Sequence, residues 1–142
     1  MIGGLTFEFH YAPDTDAPEE MHVWIPEYKA LCCAENANHS LNNIQTLRGA
    51  RTRDAGNFAE YLDEAIQRYV EEAEVQFGPH TWPVWGNANV REFLESQRDV
   101  YKYIHDEALR LANHYPPIEI SEESRSPTRW RGRGGTAAIT AR

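Results

Sequence analysis

Ala30-Leu31-Cys32-Cys33-Ala34-Glu35-Asn36 is the stretch that decides the fold. Its first five residues are small or apolar without a break, the pattern of a strand buried on both faces, and a carboxylate follows at once. A strand of this kind needs neighbours. Upstream, Leu5, Phe7, Phe9 and Tyr11 alternate with Thr6, Glu8 and His10, which predicts a half-buried strand with its aromatic side inward. Pro13-Asp14-Thr15-Asp16-Ala17-Pro18 predicts a turn, Met21 to Ile25 a second strand, and Pro26-Glu27-Tyr28-Lys29 another turn into Ala30. The last two strands are then adjacent and antiparallel, and His10 and His22 fall on solvent faces.

Downstream the pattern turns helical. Leu41 to Leu47 predicts a short helix, followed by an arginine-rich loop from Arg48 to Asp54. Phe58, Tyr61, Leu62, Ala65, Ile66, Tyr69, Val70 and Ala73 recur at intervals of three and four, the apolar face of an α-helix from Asn57, with Asp54 or Asn57 as its cap. Val75-Gln76-Phe77 reads as a brief strand. The segment from Gly78 to Asn87 is too rich in Gly and Pro for regular structure, and its aromatic content predicts a loop packed down on the body. Asn89 followed by Glu92 has the form of a capping box, opening a helix from Val90 to about Asn113 with the stripe Val90, Leu94, Tyr101, Ile104, Ala108 and Leu111. The fold class is α+β.

At 142 residues, with 41% hydrophobic and 25% charged residues, the chain has the composition of one ordinary globular domain, which excludes wholesale disorder and collagen-like repetition. No apolar run approaches the roughly 20 residues that span a bilayer, and Met1-Ile2-Gly3-Gly4 lacks the features of a signal peptide, so a soluble chain is expected. Cys32 and Cys33 are adjacent in a strand and point to opposite faces, which argues against a bridge between them and for a reducing compartment. All 22 acidic residues lie at or before Glu123, whereas the stretch from Arg125 to Arg142 has five arginines and no acid. That end predicts a flexible basic tail. A basic tail can grip phosphates, but one short run on a strongly acidic body is a poor nucleic-acid binder, and none is expected as a partner.

Three residues with ligand chemistry stand at strand ends. Asp16 follows the first strand, Glu35 closes the third and His80 follows the last, so strands lying side by side would bring all three to one sheet edge. Two carboxylates and an imidazole suit a divalent transition metal, zinc first. The competing reading is a solvated cap for Glu35 and a packing role for His80. His105 and His114 ride on a helix and are given no role.

The motifs Ala34-Glu35-Asn36-Ala37-Asn38-His39-Ser40-Leu41-Asn42-Asn43, Thr46-Leu47-Arg48-Gly49-Ala50, Arg53-Asp54, Trp82-Pro83-Val84-Trp85-Gly86-Asn87 and Gln97-Arg98-Asp99-Val100-Tyr101-Lys102 occur in order. Together they resemble the alkyl sulfatases of the metallo-β-lactamase superfamily, and the resemblance runs to about Glu123. It implies an αββα sandwich holding two zinc ions, then a helical dimerisation domain and a sterol-carrier-like domain. Residues 1–88 would be the C-terminal half of the sandwich, 89–124 the start of the dimerisation domain, and 125–142 the basic tail. Glu35, Asp16 (where the family usually has Glu) and His80 would be metal ligands, while Thr81 and Asn42 each stand where the family has His.

The implied activity is zinc-dependent hydrolysis of primary alkyl sulfate esters to alcohol and sulfate. Arg48 is the candidate for the sulfate, because a guanidinium offers a planar fork of donors to an oxyanion; the alternative is an ion pair with a nearby carboxylate. Asn36 and His39 are candidates for orienting the ligands. The family's His-x-His-x-Asp-His motif does not occur in these residues. The expectation is therefore a fragment without activity of its own, and the alternative is a non-catalytic module forming a homodimer through the Val90 to Asn113 helix.

Overall fold

The computed structural model describes residues 2–46, 49 and 51–124. Strands β1 (Glu8–Tyr11), β2 (Met21–Ile25) and β3 (Ala30–Cys32) form an antiparallel meander, with a 3-10 turn at Pro26–Tyr28 between the last two. The chain then crosses over through α1 (Ala55–Tyr69), so that β4 (Val75–Phe77) lies parallel to β3, and β5 (Val84–Trp85) closes the sheet antiparallel to β4. Helices α2 (Asn87–Ala112) and α3 (Pro117–Glu123) follow. A mixed five-stranded sheet with helices on one face is the α+β class expected.

The helix face of the sheet holds the core. Trp24 pairs with Leu31 across the strands, and both side chains share one core with Phe58, Leu62, Ala65 and Ile66 of α1 and Val90 and Leu94 of α2. Trp24 stacks on Tyr69, and Phe58 on Tyr101 with ring centroids 4.6 Å apart. Asp54 caps α1 by accepting from the Gly56 N–H at 2.7 Å, as expected. The Asn87 side chain, donating to the Val70 and Ala73 carbonyls, ties the start of α2 to the end of α1.

Several local expectations are corrected. Residues 41–46 are not helical, because their polar groups are taken from outside: the Asn42 N–H donates to the Tyr101 hydroxyl and the Ile44 carbonyl accepts from Arg53. Helix α2 begins at Asn87 with Gly86 as its N-cap, and Asn89 donates to the Trp85 carbonyl instead of capping. The aromatic loop is not packed down, since Trp82 and Trp85 are both exposed. The α2 stripe folds back: Val90, Leu94, Tyr101 and Leu111 are all buried within this chain.

The largest correction concerns β1. Phe9 is 64% exposed and Tyr11 is exposed as well, whereas His10 and His22 are buried. Glu64 of α1 explains the reversal, since it gives His10 a partner at 2.8 Å and so lets an imidazole occupy the helix face. Phe9, Tyr11, Met21, Val23, Ile25, Cys32, Phe77 and Trp85 share the other face by register, and no described helix covers it. Both faces of this sheet are apolar, so alternation alone does not say which one meets the helices.

Truncation should tell the faces apart. Phe58→Ala is expected to cost about 3–5 kcal/mol in urea denaturation, the usual penalty for emptying an aromatic core site. Phe9→Ser should change stability by less than about 1 kcal/mol while lowering dye binding by exposed apolar surface.

Candidate functional site

Strand direction assembles the site. Because β1 and β3 run the same way and β4 is parallel to β3, the loops after all three leave from one sheet edge, and the antiparallel β2 begins there. Asp16, Glu35 and His80 sit on those loops, and Glu20 directly precedes β2. The bond from the Ala12 N–H to the Glu20 carbonyl, 2.9 Å, continues the β1–β2 pairing and draws the intervening loop over the edge. Thr15 fastens that loop by donating to the Ala12 carbonyl.

The side chains converge. Asp16, Glu20 and Glu35 each place a carboxylate oxygen within 4.8 Å of the others. His80 Nε2 lies 3.2 Å from Glu35 Oε1, so the imidazole joins the group through Glu35 and is itself largely exposed. Arg53 closes the group on the Asp16 side: Nη2 is 2.7 Å from Asp16 Oδ1 and Nε donates to the Asp16 carbonyl oxygen. The Asn42 amide also donates to Asp16 Oδ1. Of the three carboxylates, Asp16 is therefore already partly neutralised.

Glu20 feels the crowding. Burial above all, and then the negative charges of Glu35 and Asp16, push its carboxyl above the ordinary value despite a bond from the Met21 N–H. A cation seated among the three carboxylates would remove that penalty.

The turn that carries Glu35 is tightly held. Ala34 has φ of 46°, a left-handed conformation that costs about 1–2 kcal/mol in any residue with a Cβ. Gly78 packs against it so closely that a Cβ there would lie 2.5 Å from the Ala34 carbonyl oxygen. Asn36 is fully buried; its N–H donates to the Cys33 carbonyl and its amide to His22 Nε2, 2.9 Å away. Asn36 thus anchors the turn. The His39 ring stacks on Trp82 at 4.5 Å and is tilted against Phe93. Arg48 lies outside the described residues.

Residue chemistry at strand ends points to Asp16, Glu35 and His80 and does not point to Glu20. Glu20 had a signal: the start of an antiparallel strand occupies the same edge as the ends of its neighbours.

No family model matches the chain. A linear primary-alkylsulfatase of Pseudomonas sp. is 48% identical over 139 residues, covering 94% of this chain and 21% of that protein. An alkyl/aryl-sulfatase of Saccharomyces cerevisiae is 38% identical over 94% of this chain and 21% of its own length. Among solved structures, the stereoselective inverting sec-alkylsulfatase Pisa1 from Pseudomonas sp. superposes with a TM-score of 0.90 at 34% identity, over 96% of this chain and 22% of that one. The DIM-1 metallo-β-lactamase shares the fold, with a TM-score of 0.52 at 20% identity over 72% of this chain and 44% of the enzyme. The chain spans about a fifth of the length of the curated relatives it matches.

The raised Glu20 carboxyl sets a pH signature. In the folded chain it holds its proton to higher pH than in the unfolded chain, so its stabilising contribution is complete below the ordinary carboxylate value and is lost as pH rises through the folded value. Metal-free Glu20→Gln should match the parent in urea denaturation below about pH 4 and exceed it in stability at about pH 7.

Proposed function

Because the chain belongs to the alkylsulfatases of the metallo-β-lactamase superfamily, we propose that it supplies the carboxylate-rich half of a metal-dependent sulfate-ester hydrolase site. The observation that carries this reading is the meeting of Asp16, Glu20 and Glu35 within 4.8 Å, with His80 against Glu35. The carboxylates of Asp16 and Glu35 and the imidazole of His80 are a donor set that suits one divalent cation, with zinc as first choice. Like charges this close repel, and the raised Glu20 carboxyl supports a site built to face a cation.

In this reading Asp16, Glu35 and His80 hold zinc, and Glu20 adds negative charge beside them. The ion, when bound, supplies a Lewis acid that neutralises charge developing on the sulfate oxygens. Arg53 keeps Asp16 in place through its bonds to the side chain and carbonyl, and Asn36 holds the Glu35 turn from below. Arg48 is assigned to the sulfate group of a primary alkyl sulfate by the fit of its donor fork. By the resemblance, the second zinc belongs with a His-x-His-x-Asp-His segment, which these residues do not contain.

A second reading concerns self-association. The stripe Leu94, Tyr101 and Leu111 is engaged inside the chain, so the homodimer implied by the resemblance is assigned instead to the end of the helical segment. The support is the exposure of Leu109 (57%) and Ile118 (83%). No described helix is long and apolar enough to cross a membrane.

The chain alone should leave dodecyl sulfate unhydrolysed. Joined to a segment carrying the His-x-His-x-Asp-His motif, it should hydrolyse the ester in a chelator-sensitive way, with Glu35→Gln losing about 100-fold or more, at the upper end for ligand-shell losses. Chelator-resistant turnover would reject the reading. In sedimentation, Leu109→Asp with Ile118→Asp should convert a dimer to a folded monomer; a dimer that survives the pair rejects this surface.

A further inference from the structure

We propose that His22 is a positioning residue for the turn that carries Glu35, acting through its hydrogen bond with the buried Asn36 amide. The proposal rests on the reading of Glu35 as a metal ligand only for its consequence at the metal; the bond between His22 and Asn36 stands on its own geometry.

The left-handed Ala34 gives the turn no conformational preference for the shape it adopts, so its hold must come from contacts. From the sheet side, Gly78 blocks its movement. From the helix side, the contact is the Asn36 amide, which reaches into the core and donates to His22 Nε2. An accepting Nε2 fixes His22 as a neutral ring with its proton on Nδ1. Full burial, and next the neighbouring His10, push its pKa down to about 3, which keeps the ring neutral.

His10 lies beside it. Its Nε2 is 2.8 Å from Glu64 Oε2, and a carboxylate only accepts, so His10 donates from Nε2. The two rings meet edge to face with centroids 5.2 Å apart. Both Nδ1 atoms are buried without a hydrogen-bond partner among the described residues, so the bond from Nε2 to Asn36 is the one that ties His22 to the turn.

Such supporting bonds change metal affinity by about 10-fold to 100-fold when lost. The test uses the 142-residue chain, with His22→Phe to remove the acceptor and His22→Gln to restore one. Long-range proton–nitrogen NMR should find His22 protonated on Nδ1 and His10 on Nε2; the opposite tautomer at His22 overturns the proposal. Exchange of the Asn36 amide should be tenfold or more faster in His22→Phe and return towards the parent rate in His22→Gln, with the Leu62 amide as a folding control. Unchanged exchange at Asn36 in a folded His22→Phe chain also overturns it. Zinc calorimetry adds the consequence: affinity about tenfold or more weaker in His22→Phe and recovered in His22→Gln. A parent chain that binds no zinc, with the tautomers and exchange as expected, rejects Glu35 as a ligand and retains His22 as the support of its turn.

Discussion

Strand β3 has unlike neighbours, antiparallel β2 on one side and parallel β4 on the other, and the molecule is organised around that asymmetry. The parallel side requires a crossover, which α1 provides, and the crossover puts the helices on one face. The same asymmetry sends the ends of β1, β3 and β4 and the beginning of β2 to one edge. Carboxylates and an imidazole scattered from position 16 to position 80 become neighbours there without any local sequence motif to gather them.

The helices and most strands follow from periodicity, because α1 and α2 each need one apolar stripe and have one. Orientation within the sheet does not follow. An alternating strand such as β1 declares which residues share a side, and here both sides are hydrophobic or pairable. Glu64, more than fifty residues away, decides that His10 is the buried one. The missing helix at 41–46 has the same origin, since Tyr101 and Arg53 claim backbone groups that a helix would have used internally. Long-range partners override local preference at both places.

For the site, residue chemistry at strand ends was enough to gather Asp16, Glu35 and His80. Glu20 is not legible from strand ends, because it stands at the start of an antiparallel strand; the His39 ring packs on Trp82, a contact between distant segments that local sequence does not announce. The position of Arg53 against Asp16 is a property of the folded loop alone. Charge type was readable in advance; the neutralising partner of each charge required the tertiary arrangement.

Cys32 and Cys33 acquire separate significance from the two-faced sheet. Cys33 is completely buried on the helix side, with its thiol held protonated by that burial, while Cys32 is half-buried on the open side, where burial also pushes its thiol up. One peptide bond therefore separates two sulfur atoms governed by different free energies. Alkylation of Cys32 gauges whether anything lies across the open face, and alkylation of Cys33 gauges the opening of the helix layer. The dipeptide is a built-in pair of reporters, one for assembly and one for folding.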